Sequence, residues 1–170
     1  MSFAERYKLG TDAERLVIPD LEARGWNVDP GPRHFWTPGL NRVLTDWRDS
    51  HSAPCFLRWA PDFMVWRRER LLPSNLYAVD VKTTGKTIGV GIERRALLTY
   101  AEYAERFNIP VVVVFVICGE MLASSVGKLL INTQDKFGAA ADRTPYYVID
   151  PNKLSPMERF FGEKPSGEKP

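Results

Sequence analysis

Residues 60–84 read APDFMVWRRERLLPSNLYAVDVKTT, and the way this stretch pairs with itself decides the fold. Phe63 to Trp66 is a short apolar run, and Leu76 to Val79 opens a second. Pro73, Ser74 and Asn75 lie between them. Proline favours a turn by its fixed φ, and serine and asparagine do so by hydrogen-bonding nearby backbone. The pattern predicts two strands joined by a basic hairpin. The charges depart from a plain hairpin. Asp62 stands at the start of the first strand, and Asp80 and Lys82 stand inside the second. Side chains alternate along a strand, so Asp80 and Lys82 share one face while Val79 and Val81 share the other. An acid and a lysine within an apolar strand are costly to bury unless they are paired. Asp62 brings a second carboxylate towards the same ammonium. Two hard oxygen donors suit Mg²⁺ or Mn²⁺. A lysine beside them can orient a water or stabilise an anionic transition state.

Upstream, Leu9, Ala13, Leu16, Val17 and Leu21 recur at helical spacing and predict a helix from Ser2 to Arg24. Ser2-x-x-Glu5 and Thr11-x-x-Glu14 compete as capping boxes for its start, with Gly10 as a break point between them. Pro19 is expected to kink or restart the helix, and Gly25 to stop it. Glu14 borders the apolar stripe. It can close the Thr11 capping box on the surface, or it can be a third acid aimed at Asp62 and Asp80. Trp26 to Val28 is expected to form a first short strand.

The segment 29–59 reads as an insertion. Pro30, Pro32, Pro38 and Pro54 break it, and Leu40, Val43, Leu44 and Trp47 mark one short helix. Arg33, Trp36 and their neighbours interleave cations with aromatics, a pattern that can neutralise phosphates and stack bases. It equally describes a satellite core with solvated arginines. Arg67, Arg68 and Arg70 form a basic tip on the hairpin, suited to backbone phosphates or simply to solvent.

Downstream, Thr83 to Thr87 resembles the end of a phosphate-binding loop. The first glycine of GxxxxGK[ST] would fall on Asp80, so a nucleotide triphosphate site is excluded. Thr83 and Thr84 are expected beside the site, and Gly85, Gly89 and Gly91 in a flexible loop near nucleic acid. Leu97, Ala101, Ala104 and Phe107, with Tyr100 alongside, predict a helix from Glu93 to Asn108. Pro110 ends it. Val111 to Ile117 is continuously apolar and β-branched, as in a strand buried on both faces. Met121 to Asn132 is expected to add a strand, Tyr146 to Ile149 a peripheral one, and residues 162–170 a disordered tail.

Composition bounds the function. The chain has 170 residues, enough for one domain with a real core, expected over residues 1–161. A net charge of +2 leaves any nucleic-acid contact to a local basic face. Two cysteines make no disulfide framework, and with His34 and His51 they lack zinc-ligand spacing. Cys118, ending the apolar run, is read as a small core residue. No GxSxG occurs to support a hydrolase triad. The N-terminus has no apolar signal region, and Ile109 to Cys118 is too short to cross a bilayer. A cytoplasmic location with no membrane association is the expectation, in a cell or a phage-infected one.

Pro61-Asp62 followed by Asp80-Val81-Lys82 resembles the PD-(D/E)XK nuclease superfamily, and Gly10 with Glu14 on a preceding helix resembles its junction-resolving and RecB-like members. The strand–helix–strand order after Asp80 agrees with that resemblance. It implies an α/β restriction-endonuclease-like core, with a central mixed sheet of four or five strands flanked by helices. It implies a divalent-metal-dependent endodeoxyribonuclease, with Asp62, Asp80, the Val81 carbonyl and Glu14 around Mg²⁺ (or Mn²⁺), Lys82 positioning the attacking water, and 5′-phosphate and 3′-hydroxyl products. The DNA contacts would come from Arg33, Trp36, Arg67, Arg68, Arg70, Thr84 and Lys86. The absence of an obvious target-recognition domain favours selection of a DNA structure (junction, flap or end), as in recombination or repair, over a small restriction-type enzyme. A homodimer is expected by the same resemblance. The alternative is a non-catalytic DNA-binding or assembly module that keeps the fold.

Overall fold

The computed structural model describes residues 3–31, 59–67, 75–84, 90–133, 137–139 and 145–164. Seven consecutive residues, Val111–Ile117, are buried without exception and form strand β5. A strand buried on both faces needs cover on both, and the rest of the chain supplies it. Val112, Val114 and Val116 face one core, and Val111, Val113, Phe115 and Ile117 face another.

Helix α1 (Phe3–Ala23) covers the first face. Ala13, Val17 and Leu21 recur every four residues and pack with Phe63, Val65, Val79 and Val81. The helix is continuous, so the break expected at Gly10 does not occur, and Pro19 lies inside it on the exposed side. Burial of the apolar stripe outweighs the single backbone hydrogen bond that proline removes. Gly25, at φ 81°, ends the helix as expected, and its N–H donates to the Glu22 carbonyl at 2.9 Å.

The main sheet has six strands in the order β1 (Asn27–Pro30), β2 (Phe63–Arg67), β3 (Asn75–Thr84), β5, β6 (Glu120–Ser125) and β9 (Ser155–Pro156). Its pairs are antiparallel except β3 with β5, which run parallel. Helix α2 (Arg94–Phe107) makes the crossover between those two and covers the second face. Its C-cap, Asn108, is left-handed at φ 52° just before Pro110, the boundary the sequence predicts. A second sheet, β4 (Val90–Glu93), β8 (Pro145–Ile149) and β7 (Phe137–Ala139), joins the same side through Val90, Ile92 and Ile149.

The strand count exceeds the four or five expected, because two- to four-residue strands carry no periodic signal. Tyr146 to Ile149 is the middle strand of its sheet and not a peripheral one. Met121 to Asn132 divides into β6 and helix α3 (Val126–Asn132), with the Ser125 hydroxyl capping the helix by accepting from the Lys128 N–H. Gly91 lies in β4 and not in a loop. Cys118 is exposed, which corrects its reading as a core residue. It sits with Gly119 in the two-residue turn between β5 and β6, both at positive φ, the geometry of a tight hairpin. The first residues of the expected tail are also bound. After helix α4 (Glu158–Phe161), the Gly162 carbonyl accepts from Arg24 at 2.5 Å and Lys164 pairs with Asp20 at 2.6 Å. No helix among the described residues is long and apolar enough to cross a membrane.

Candidate active site

Register brings the charged residues together. In the β2–β3 ladder Phe63 faces Val79 and Met64 faces Ala78, so one step further along the strands Asp62 stands opposite Asp80. Both are buried, at 5% and 0% exposure. Asp80 and Lys82 share the strand face of Ala78, beneath α2, while Val79 and Val81 face α1. This is the alternation read from the sequence.

Each carboxylate has a specific partner. Asp62 Oδ2 accepts from the Val81 backbone N–H at 2.9 Å. Asp80 Oδ1 accepts from the Tyr100 hydroxyl at 2.6 Å. The Lys82 ammonium forms an ion pair with the other oxygen, Oδ2, for which no further partner is found among the described residues. The same ammonium lies 3.4 Å from the Tyr100 hydroxyl oxygen and 5.7 Å from the centre of its ring. The Lys82 side chain is 25% exposed, so the polar cluster reaches the surface at the lysine.

Tyr100 is the residue the sequence reading undervalued. Fully buried on α2, it reads by periodicity as one more ring beside the apolar stripe. Its hydroxyl was the available clue, because a buried tyrosine needs a partner and the strand beneath α2 carries a buried acid. Trp59, at the end of the insertion, is buried in the same core and donates from Nε1 to Glu93 at 3.2 Å.

Glu14 is placed differently. It is half-buried on α1, the helix that covers the opposite face of the sheet. Among the described residues no three His, Cys, Asp or Glu side chains gather closely enough to hold a cation, so Glu14 does not join Asp62 and Asp80 in this arrangement. Arg67 sets its guanidinium 5.0 Å from the centre of the Trp26 ring, near the end of β2. Thr84 ends β3, its backbone in register with Ile117. Arg33, Trp36, Arg68, Arg70 and Lys86 lie outside the described residues.

Two buried carboxylates on neighbouring strands are a donor set for a hard divalent cation. Mg²⁺ commonly takes only one or two protein carboxylates and fills its shell with water and substrate oxygens.

Neither a family model nor a curated protein sequence matches the chain. Solved structures do. The chain is similar in fold to Hjc, a Holliday junction resolvase from the archaeal hyperthermophile Archaeoglobus fulgidus, with a TM-score of 0.56 and 12% identity over 90% of this chain and 100% of that one. It also matches D212, a nuclease from a fusselovirus, with a TM-score of 0.48 and 12% identity over 95% and 90% of the two chains. At such identity the first likeness is one of fold, and that fold is the restriction-endonuclease-like α/β architecture that the resemblance of the acidic motifs implies.

Proposed function

We propose that this chain is a divalent-metal-dependent endodeoxyribonuclease, selective for DNA structure more than for sequence. The observation that carries the reading is the juxtaposition of Asp62, Asp80 and Lys82 across the start of β2 and the middle of β3. Asp62, Asp80 and the Val81 carbonyl would hold Mg²⁺ or Mn²⁺. The cation, when bound, lowers the pKa of a coordinated water and offsets phosphate charge. Lys82 supplies a positive charge at the open end of the cluster, where it holds the attacking water and stabilises the anionic transition state. The buried partners of Asp62 and Asp80 fix both carboxylates before substrate arrives, which lowers the reorganisation needed during reaction. The DNA contacts would come from Arg67 and from the residues that the sequence pattern suggests, Arg33, Trp36, Arg68, Arg70, Thr84 and Lys86.

The resolvase with this fold makes the four-way junction the first substrate to try. A junction presents two equivalent strands, so a symmetric homodimer would place one site on each. The experiment is cleavage of single strand, duplex, splayed flap and four-way junction with Mg²⁺ or Mn²⁺, beside Asp80→Asn. Metal-dependent cuts lost in the variant are expected. A folded wild-type protein that binds these DNAs and cuts none of them would instead mark a non-catalytic binding module.

A further inference from the structure

We propose that Tyr100 is a positioning residue of this site, acting on both Asp80 and Lys82 from the crossover helix. The inference rests on the reading of Asp62 and Asp80 as a cation site. The two Asp80 oxygens are treated differently. Oδ1 is fixed by the Tyr100 hydroxyl at 2.6 Å, while Oδ2 is met by the Lys82 ammonium in an ion pair. A carboxylate pinned by one oxygen keeps the other aimed in a single direction. A divalent cation at that oxygen would take the place the Lys82 ammonium now holds.

Tyr100 also seats the lysine. Its hydroxyl lies 3.4 Å from Nζ, and its ring centre lies 5.7 Å away. When a cation claims Oδ2, the ammonium loses its carboxylate contact, and the hydroxyl and ring of Tyr100 remain beside it. The lysine is then held next to the cluster and does not swing into solvent. Tyr100 is fully buried in the core that also holds Leu97, Val113 and Phe115, and close packing there limits movement of its ring. Groups that orient a metal-ligating carboxylate from behind affect both metal affinity and turnover.

The test is Mn²⁺ binding by calorimetry without DNA, alongside steady-state cleavage at saturating Mg²⁺. Tyr100→Phe keeps the ring and removes only the hydroxyl. Its Mn²⁺ Kd should rise by about tenfold, the usual cost of losing an outer partner. Its kcat should fall while KM for DNA holds. Against an Asp80→Asn background the same substitution should leave Mn²⁺ binding unchanged, because its route to the cation has gone. A merely structural role would lower thermal stability and leave these three readouts unmoved. Wild-type Kd and kcat in Tyr100→Phe, or an equal loss in the Asp80→Asn background, overturns the proposal.

A second measurement needs no destabilising change. With 3-fluorotyrosine at position 100, the fluorine resonance should shift as Mg²⁺ saturates the protein, and an unmoved resonance overturns the proposal. A wild-type protein that binds no Mn²⁺ would fail the cation reading itself, an outcome distinct from failure of either Tyr100 test.

Discussion

Gly31 shows how tightly the residues around Asp62 are set. Its N–H donates to the Asp62 carbonyl at 2.7 Å. A Cβ at this position would collide with the Pro61 carbonyl oxygen and come within 2.7 Å of the Asp62 carbonyl oxygen. Both obstacles are backbone, so neither can swing aside. Gly31→Ala should therefore shift the start of β2, loosen the 2.9 Å bond from the Val81 N–H to Asp62, and cost roughly 1–3 kcal/mol as overpacking does. Urea midpoints measure the stability, and cleavage should drop further than the stability loss explains. Unchanged activity would mean that Asp62 tolerates displacement. Lys82 makes the complementary prediction. Lys82→Ala should abolish cleavage while the protein still binds junction DNA, and wild-type cutting by that variant would remove the lysine from the mechanism. It should also lower the thermal midpoint, since Asp80 is then buried without its cation.

At the scale of elements, legibility followed periodicity. The helix Arg94–Phe107 and the facing of Asp80 with Lys82 could be read from a period of 3.6 or of two, and the strand Val111–Ile117 from an unbroken β-branched apolar run too short for a typical helix. What failed was local or depended on distant partners. Gly10 reads as a helix break until the buried stripe of α1 is counted against it. Cys118 continued an apolar run, yet a tight turn at positive φ took it to the surface. Tyr100 looked like packing because its partner lies twenty residues upstream on another element. Leu97, buried on α2 one turn before Tyr100, ties that helix to β5. Leu97→Ala should cost roughly 2–5 kcal/mol by cavity formation. Calorimetric unfolding checks the value, and a loss well under 1 kcal/mol would show that α2 is not anchored there.

At the scale of the molecule, a buried arginine ties the end of α1 to the end of the described chain. Arg24, at the end of α1, is 4% exposed in its side chain. It donates to Asp20 at 2.6 Å, to the Gly162 carbonyl at 2.5 Å and to Glu158 at 2.8 Å, and Lys164 closes on the other oxygen of Asp20. The Trp26 indole donates to the Phe161 carbonyl at 2.8 Å beside it. Nothing periodic marks such a clamp, since its members lie about 140 residues apart, as in the Arg24–Gly162 bond with its separation of 138. Its consequence is acid sensitivity. Burial pushes the Asp20 carboxyl up, but hydrogen bonds from Arg24 and Lys164 overcome this and hold it below its ordinary 3.8. The Arg24 hydrogen bond likewise holds Glu158 below its ordinary 4.5. A carboxyl with a depressed folded value stabilises the fold above its unfolded value, and that contribution is lost as pH falls through the folded one. The window therefore opens below 4.5 for Glu158 and below 3.8 for Asp20. Glu158 contributes less, because its side chain is 48% exposed and solvent screens the pair. Arg24→Met should cost roughly 3–5 kcal/mol at neutral pH, as removal of one partner of a buried pair does. The gap between the variant and wild type should then narrow as acid protonates the carboxylates the arginine holds. Urea unfolding at stepped pH reads this directly, and two curves that stay parallel to the lowest pH would show that the clamp holds these ends together by packing and not by charge.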